Sequence, residues 1–248
     1  MKDLPSVGYG TFCWNPRLTR NAVIEVARQD YPDNLKTHYL LYQSPFPVHF
    51  AHPFKHRIVH INVSGPKWPA LWLHKMKSFT FRSREDYLLL FDEDDLFETD
   101  YTLKALKPLL GTGFEISWNH DMVFVQRTNI WTGRYNSPIG TICAKRQLMK
   151  RCVKELFKVI PEGATFHIEN GKRIFSGPSD SRYRKLIEEL YGDLITTHDG
   201  IRYYFRHSGM ITKNRNKEED VDFGWENNKA TPKISKPGSQ KLDWSYNV

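Results

Sequence analysis

Four acidic residues stand in a row in this 248-residue chain, Asp92-Glu93-Asp94-Asp95, directly after the apolar run 87–91 (YLLLF). Alternate residues of an extended segment project to one side. Asp92 and Asp94 therefore face together and Glu93 turns away. Two hard carboxylates on one side suit Mg²⁺ or Mn²⁺, with diphosphate oxygens completing the shell. Clustered like charges at a partly closed strand end also need a cation, or some protonation, to be tolerated. The plainer alternative is a solvated acidic turn that caps the following helix. Position favours the metal, because in open α/β sheets ligands bind beyond the carboxyl ends of the strands.

That argument requires the chain to build such a sheet. Residues 7–12 read as a strand, and Asn15-Pro16 as an N-cap with proline at the first helical position. Leu18, Ala22, Val26 and Gln29 recur at helical spacing, and residues 30–34 (DYPDN) end the helix. Residues 38–42 and 57–63 are further apolar runs, and 68–81 reads as a helix with Leu71, Leu73 and Met76 for a core. The nearly unbroken apolar run 87–91 suits a strand covered on both faces. Such alternation predicts a mostly parallel α/β sheet flanked by helices. In the second half, Thr99-Asp100 caps a helix over 101–110, and 122–126 (MVFVQ) and 139–144 (IGTICA) read as strands. Helices follow over 146–159 and over 181–191, the latter ended by Gly192, and 202–205 is a last strand. From about residue 212 the chain is polar and reads as a tail.

Composition bounds the rest. Apolar residues at 40% and charged residues at 26% describe a globular chain. Lys plus Arg is 36 against 28 Asp plus Glu, a net +8 that favours anionic partners: nucleotides, nucleic acid or acidic membrane surfaces. No apolar run is long enough for a transmembrane segment, and the N-terminus lacks a signal-like apolar stretch, so a cytoplasmic location is expected. Cys13, Cys143 and Cys152 share no zinc spacing and read as buried thiols in a reducing compartment. Gly8-Tyr9-Gly10 lacks the rest of any phosphate-loop fingerprint, and the ten histidines show no paired ligand spacing.

Taken in order, three stretches resemble the GT-A glycosyltransferases, specifically the large family 2. They are residues 11–15 (TFCWN) with a helix ending in QDYP at 29–32, the segment 85–95 (EDYLLLFDEDD), and residues 204–209 (YFRHSG). The resemblance spans roughly residues 5–212. It implies a GT-A domain over 1–212, with a nucleotide-sugar-binding half (1–110) and an acceptor-side half (111–212), followed by the tail 213–248. It also implies a nucleotide-sugar donor, usually a UDP-sugar, held with Mn²⁺ or Mg²⁺, and by family tendency inversion at the anomeric carbon. By position, Asp92 would contact the donor ribose or the metal and Asp94 would ligate the metal. Thr11 and Asn15 would line the nucleotide pocket, and His207 with Arg206 would approach the diphosphate or metal. Asp180 is the candidate general base, and is equally a good N-cap after Pro178.

The chain also departs from the family pattern. The acidic pair after the second strand is replaced by Tyr42-Gln43, where Gln43 could hydrogen-bond a base edge. The Glu before Asp180 is Ser179, and the helix before the acidic run carries Lys75-Met76-Lys77. Basic residues gather at Lys75, Lys77, Arg182 and Arg184 and along 145–154, with Trp118, Trp131, Tyr135 and Tyr183 among them. A basic surface with aromatic platforms suits a nucleic acid strand. The leading acceptor expectation is therefore a hydroxymethylated base, hydroxymethylcytosine, in DNA, as for some phage enzymes, which would place the chain in a host cytoplasm. Lys75, Lys77, Trp118, Arg182 and Arg184 are the acceptor-side candidates. The alternatives are transfer to a surface polysaccharide or glycolipid, and a non-catalytic nucleic-acid-binding module.

Overall fold

The computed structural model describes residues 4–14, 16–43, 54–64, 70–93, 95–119, 121–126, 129–134, 138–159, 166–169, 172–175 and 180–205. In chain order the elements are β1 (Val7–Phe12), α1 (Pro16–Arg28), β2 (Lys36–Tyr42), β3 (Arg57–Asn62), α2 (Ala70–Arg82), β4 (Tyr87–Leu90), β5 (Leu96–Phe97) and α3 (Tyr101–Leu106). There follow β6 (Ile116–Trp118), β7 (Asp121–Gln126), β8 (Asn129–Arg134), β9 (Cys143–Lys145), α4 (Arg146–Val159), β10 (Phe166–Glu169), β11 (Lys172–Phe175), α5 (Asp180–Tyr191), β12 (Ile195–Thr197) and β13 (Arg202–Phe205).

The main sheet has seven strands in the order β12-β6-β9-β4-β1-β2-β3. It is parallel except for β9, which runs against both β4 and β6. This is the mostly parallel sheet that the alternation of segments predicts. β4 shows why its sequence is apolar throughout. Leu88 and Leu90 join the core beneath α2, α4 and α5, while Tyr87 and Leu89, with Phe91 beyond the strand, join the core on the α3 side. Gly10 has a packing reason rather than a phosphate-binding one: a Cβ there would come within 2.6 Å of the Phe79 ring on α2. A second sheet, β5-β13-β7-β8, joins the segment after the acidic run to the last strand.

Two of the expected elements differ in form or length, and the short strands β5, β6, β8, β10, β11 and β12 were not expected. The segment 139–144 is not one strand; a 3-10 turn (Pro138–Thr141) precedes the short β9. Helix α3 ends at Leu106 instead of residue 110, because Pro108 has no N–H to continue the ladder, and Leu109 N–H bonds Leu106 O three residues back. The three cysteines are free and buried, as expected. No helix among the described residues is long and apolar enough to cross a membrane. The polar segment 213–248 lies outside the described residues.

Candidate active site

Because β1, β2 and β4 are parallel, their carboxyl ends share one edge, which brings Cys13 and Trp14, Gln43, and the acidic run together. Phe91 anchors the start of that run. Its N–H bonds Gly10 O at 3.0 Å, and its ring stacks on Phe97 at 3.8 Å between the edges of Tyr9 and Tyr101. The Thr11 hydroxyl donates to Phe91 O (2.8 Å) and lies 2.8 Å from His38 Nε2. With the hydroxyl proton committed to Phe91, the imidazole nitrogen is the donor of the second bond. Burial, aided by His56 and His60, pushes the His38 pKa well below the ordinary value, which favours the neutral imidazole.

The acidic residues divide by direction. Glu93 turns inward, in a turn rather than the extended segment that alternation assumes, and accepts the Trp14 N–H (3.0 Å) and the Thr19 hydroxyl (2.9 Å). It thereby ties the β1–α1 connection to the turn. Asp95 is fully buried, while the Asp92 side chain keeps 47% of its surface exposed. Both carboxylates meet one guanidinium, that of Arg202 at the start of β13. Arg202 Nε donates to Asp95 Oδ2 at 2.5 Å, and Nη2 contacts both Asp92 and Asp95. Burial opposes the charge on Arg202, but Asp95 and Asp92 outweigh it and hold the group above the usual arginine pKa. The pairing of β13 with β5, Arg202 opposite Phe97, fixes where the guanidinium stands. Gly140 makes room for it: a Cβ there would fall 1.6 Å from Nη1.

Lys75 reaches the same edge from α2, with its Nζ 2.8 Å from Cys13 O and 3.4 Å from the centre of the Trp14 ring. Burial pulls its pKa down to about 8, against the opposing influence of Cys13 and Glu93. Further support comes from the QDYP stretch. Gln29 accepts the Thr102 N–H and hydroxyl and donates to Glu98 O, and Tyr31 bonds Pro5 O. The stretch therefore holds α1 against the segment that follows the acidic turn.

Of the residues expected at the site, the structure places Thr11, Gln43 and Asp92 at this edge. The Thr11 hydroxyl, however, is engaged inside the fold rather than presented to a pocket. Asn15, Asp94, Arg206 and His207 lie outside the described residues. Asp180 and Arg182 stand in the first turn of α5. Two acceptor-side candidates, Lys75 and Trp118, and one aromatic of the expected basic surface, Tyr183, are buried rather than exposed. Lys75 is buried and faces Cys13 and Trp14, not solvent. Trp118 is 4% exposed and packs in the core, because it ends a short strand of the main sheet. Tyr183 is buried against Trp72, with ring centres 5.8 Å apart. Lys77 is exposed and lies over Phe157 of α4, and Arg184 pairs with Glu188 one turn on. Sequence reasoning missed Arg202 and Gly140. The available signal was a cation opening an otherwise aromatic strand, RYYF. Among the described residues no three His, Cys, Asp or Glu side chains form a metal site.

No family model matches the chain, and no curated protein does. Solved structures do. One is the mannosyltransferase PcManGT from Pyrobaculum calidifontis in complex with GDP-Man and Mn²⁺, at 14% identity and a TM-score of 0.51, covering 79% of this chain and 57% of that one. Another is S. aureus TarS 1–349 in complex with UDP-GlcNAc, at 10% identity and a TM-score of 0.56, covering 83% and 60%. TarS with UDP aligns similarly, at 10% identity and a TM-score of 0.55, covering 81% and 60%. The chain thus spans 57 to 60% of the length of these proteins. At such identities the likeness is one of fold, and the chain has the α/β fold of these glycosyltransferases.

Proposed function

We propose that the chain transfers a sugar from a nucleoside diphosphate sugar to an acceptor hydroxyl, with a divalent cation at the acidic turn. The carrying observation is the turn itself. It sits at the shared carboxyl edge of β1, β2 and β4, where Asp92 is half exposed while Glu93 and Asp95 are locked inward. Its hard carboxylate oxygens fit Mn²⁺ or Mg²⁺. Asp92, Asp94 and His207 would hold the ion, which when bound neutralises charge on the departing diphosphate. Gln43, at the end of β2, would meet the base, with Asn15 beside the nucleotide. Arg206 would pair with the diphosphate. Asp180 would take the proton of the acceptor hydroxyl as its oxygen bonds the anomeric carbon and the bond to the nucleoside diphosphate breaks, with inversion. A UDP-sugar is the first donor to test.

The acceptor reading narrows. With Trp118 and Tyr183 in the core, the aromatic part of the argument for DNA loses two of its residues. The net +8 still favours an anionic acceptor. DNA carrying hydroxymethylcytosine is one candidate and a surface polysaccharide or glycolipid the alternative, and parallel turnover assays separate them.

The primary test is thermal stability with UDP, with Mn²⁺, and with both. A ligand that binds only the folded state at 100 times its Kd stabilises by about 2.7 kcal/mol. The expected result is a shift of several degrees that needs both components and is absent in Asp94→Ala. No shift with any nucleoside diphosphate, together with salt-sensitive DNA binding unchanged in Asp94→Ala, would replace this reading with that of a non-catalytic nucleic-acid-binding module.

A further inference from the structure

We infer that Arg202 is a positioning residue for the donor site: an internal, permanent cation that aims the Asp92 carboxylate, with Gly140 as its seat. The inference rests on the donor-site reading above. Asp95 and Arg202 are both almost wholly enclosed, at 0% and 5% side-chain exposure, and stand 107 residues apart in the chain. Such a pair is expensive to desolvate and is often no more stable than an apolar replacement. Stability alone therefore gives little reason for it. The third partner gives one. The same Nη2 that contacts Asp95 also contacts Asp92, whose carboxylate is half in solvent. Asp95 fixes the guanidinium, and the guanidinium fixes Asp92.

The planar fork matters here. Nε serves Asp95 while Nη2 spans both carboxylates, a division that a lysine ammonium on its flexible stem does not reproduce. Arg202 also opens β13, the strand that leads into Arg206 and His207, and β13 is paired with β5 immediately after the acidic turn. One residue thus sets the acidic turn against the strand that delivers the other expected diphosphate contacts. Partners that orient metal-binding carboxylates typically change metal affinity about 10- to 100-fold when removed. Gly140 completes the device, since any side chain there would occupy the place of Nη1.

The test separates positioning from folding. Arg202→Met alone removes the guanidinium from the buried Asp95 carboxylate and lowers stability, so the informative protein is the double variant Arg202→Met/Asp95→Asn, which removes both charges of that ion pair together. Each full-length protein is titrated with Mn²⁺ at fixed UDP, and the half-point of the thermal shift is read. In the double variant, folded by circular dichroism, the half-point is expected to rise about tenfold or more. Arg202→Lys/Asp95→Asn is expected to recover only part of that rise, and Gly140→Ala to raise the half-point with every site residue present. An unchanged half-point in the double variant, with the wild-type shift intact, overturns the role of Arg202 and leaves the donor site standing. A wild type that shows no shift with any nucleoside diphosphate overturns the donor reading and this inference with it.

Discussion

The charges at the acidic turn and those on the outer helices are held in opposite ways. At the turn the partners come from far along the chain: Glu93 with Trp14 and Thr19, Asp95 and Asp92 with Arg202. Glu93, Asp95 and Arg202 are enclosed, and Asp92 is half exposed. On α4 and α5 several exposed pairs lie one helical turn apart, as in Lys158 with Glu155 and Arg184 with Glu188, and the more distant pair of Arg151 with Glu115 is also solvent-exposed. Local pairs of that kind form on almost any solvated helix and say little about purpose. Enclosed charges joined across the fold are different, because each must be matched or the fold weakens. The contrast supports the proposal that the chemistry belongs to the carboxyl edge of the sheet rather than to the basic faces.

The largest effect should come from breaking the enclosed network on one side only. Arg202→Met takes the guanidinium away from the buried Asp95 carboxylate, and removing one partner of a buried ion pair costs about 3–5 kcal/mol. Chemical denaturation should show a loss of that size. It should be largely recovered in Arg202→Met/Asp95→Asn, where both charges of the buried pair are gone. A loss below about 1 kcal/mol in the single variant would mean that Asp95 is solvated or protonated, and the contrast between the two regions would weaken.

Lys75 sharpens the comparison because it is a basic residue on the acidic side of it. Folded, its ammonium gives up the proton near pH 8, and unfolded near 10.5. Between those values the unfolded chain binds more protons, so stability rises with pH across that window. The penalty of the buried charge is complete below pH 8 and gone above 10.5. Relative to Lys75→Met, which has no such penalty, the wild type should gain about 3 kcal/mol over the window. Denaturation midpoints of both proteins at pH 7.5 and pH 10.5 measure it, provided both remain folded. A constant difference would mean that water reaches the ammonium.

How much of this was legible in the sequence follows the same division. Strands β1 and β4 and helices α1, α2, α4 and α5 are visible because burial on one or two faces imposes a pattern over many residues. β6 is only three residues long, too short for a pattern, and with it went the burial of Trp118. Lys75 was misplaced despite an available signal, since it lies four residues after Leu71 on the stripe that faces the core. The Arg202 pairing was out of reach. It depends on a sheet register that joins residues 97 and 202, and a single sequence contains no periodicity that spans them.

The smallest effect tests the other half of the comparison. Lys158 sits at the end of α4 with 68% of its side chain exposed, 2.7 Å from Glu155. The geometry is good, and a distance-based argument would rank this pair with those of Arg202. Solvent screening says otherwise, because water satisfies both groups when the pair opens, and ordering two long side chains offsets the attraction. Lys158→Ala should therefore change stability by less than about 0.5 kcal/mol, with no change in the Mn²⁺ half-point. If Lys158→Ala instead weakens donor binding, the basic face of α4 is coupled to the acidic turn, and the two regions are one. If it weakens only turnover with a polyanionic acceptor, the face guides the acceptor, and the division of labour between an enclosed donor edge and an open basic rim becomes more exact.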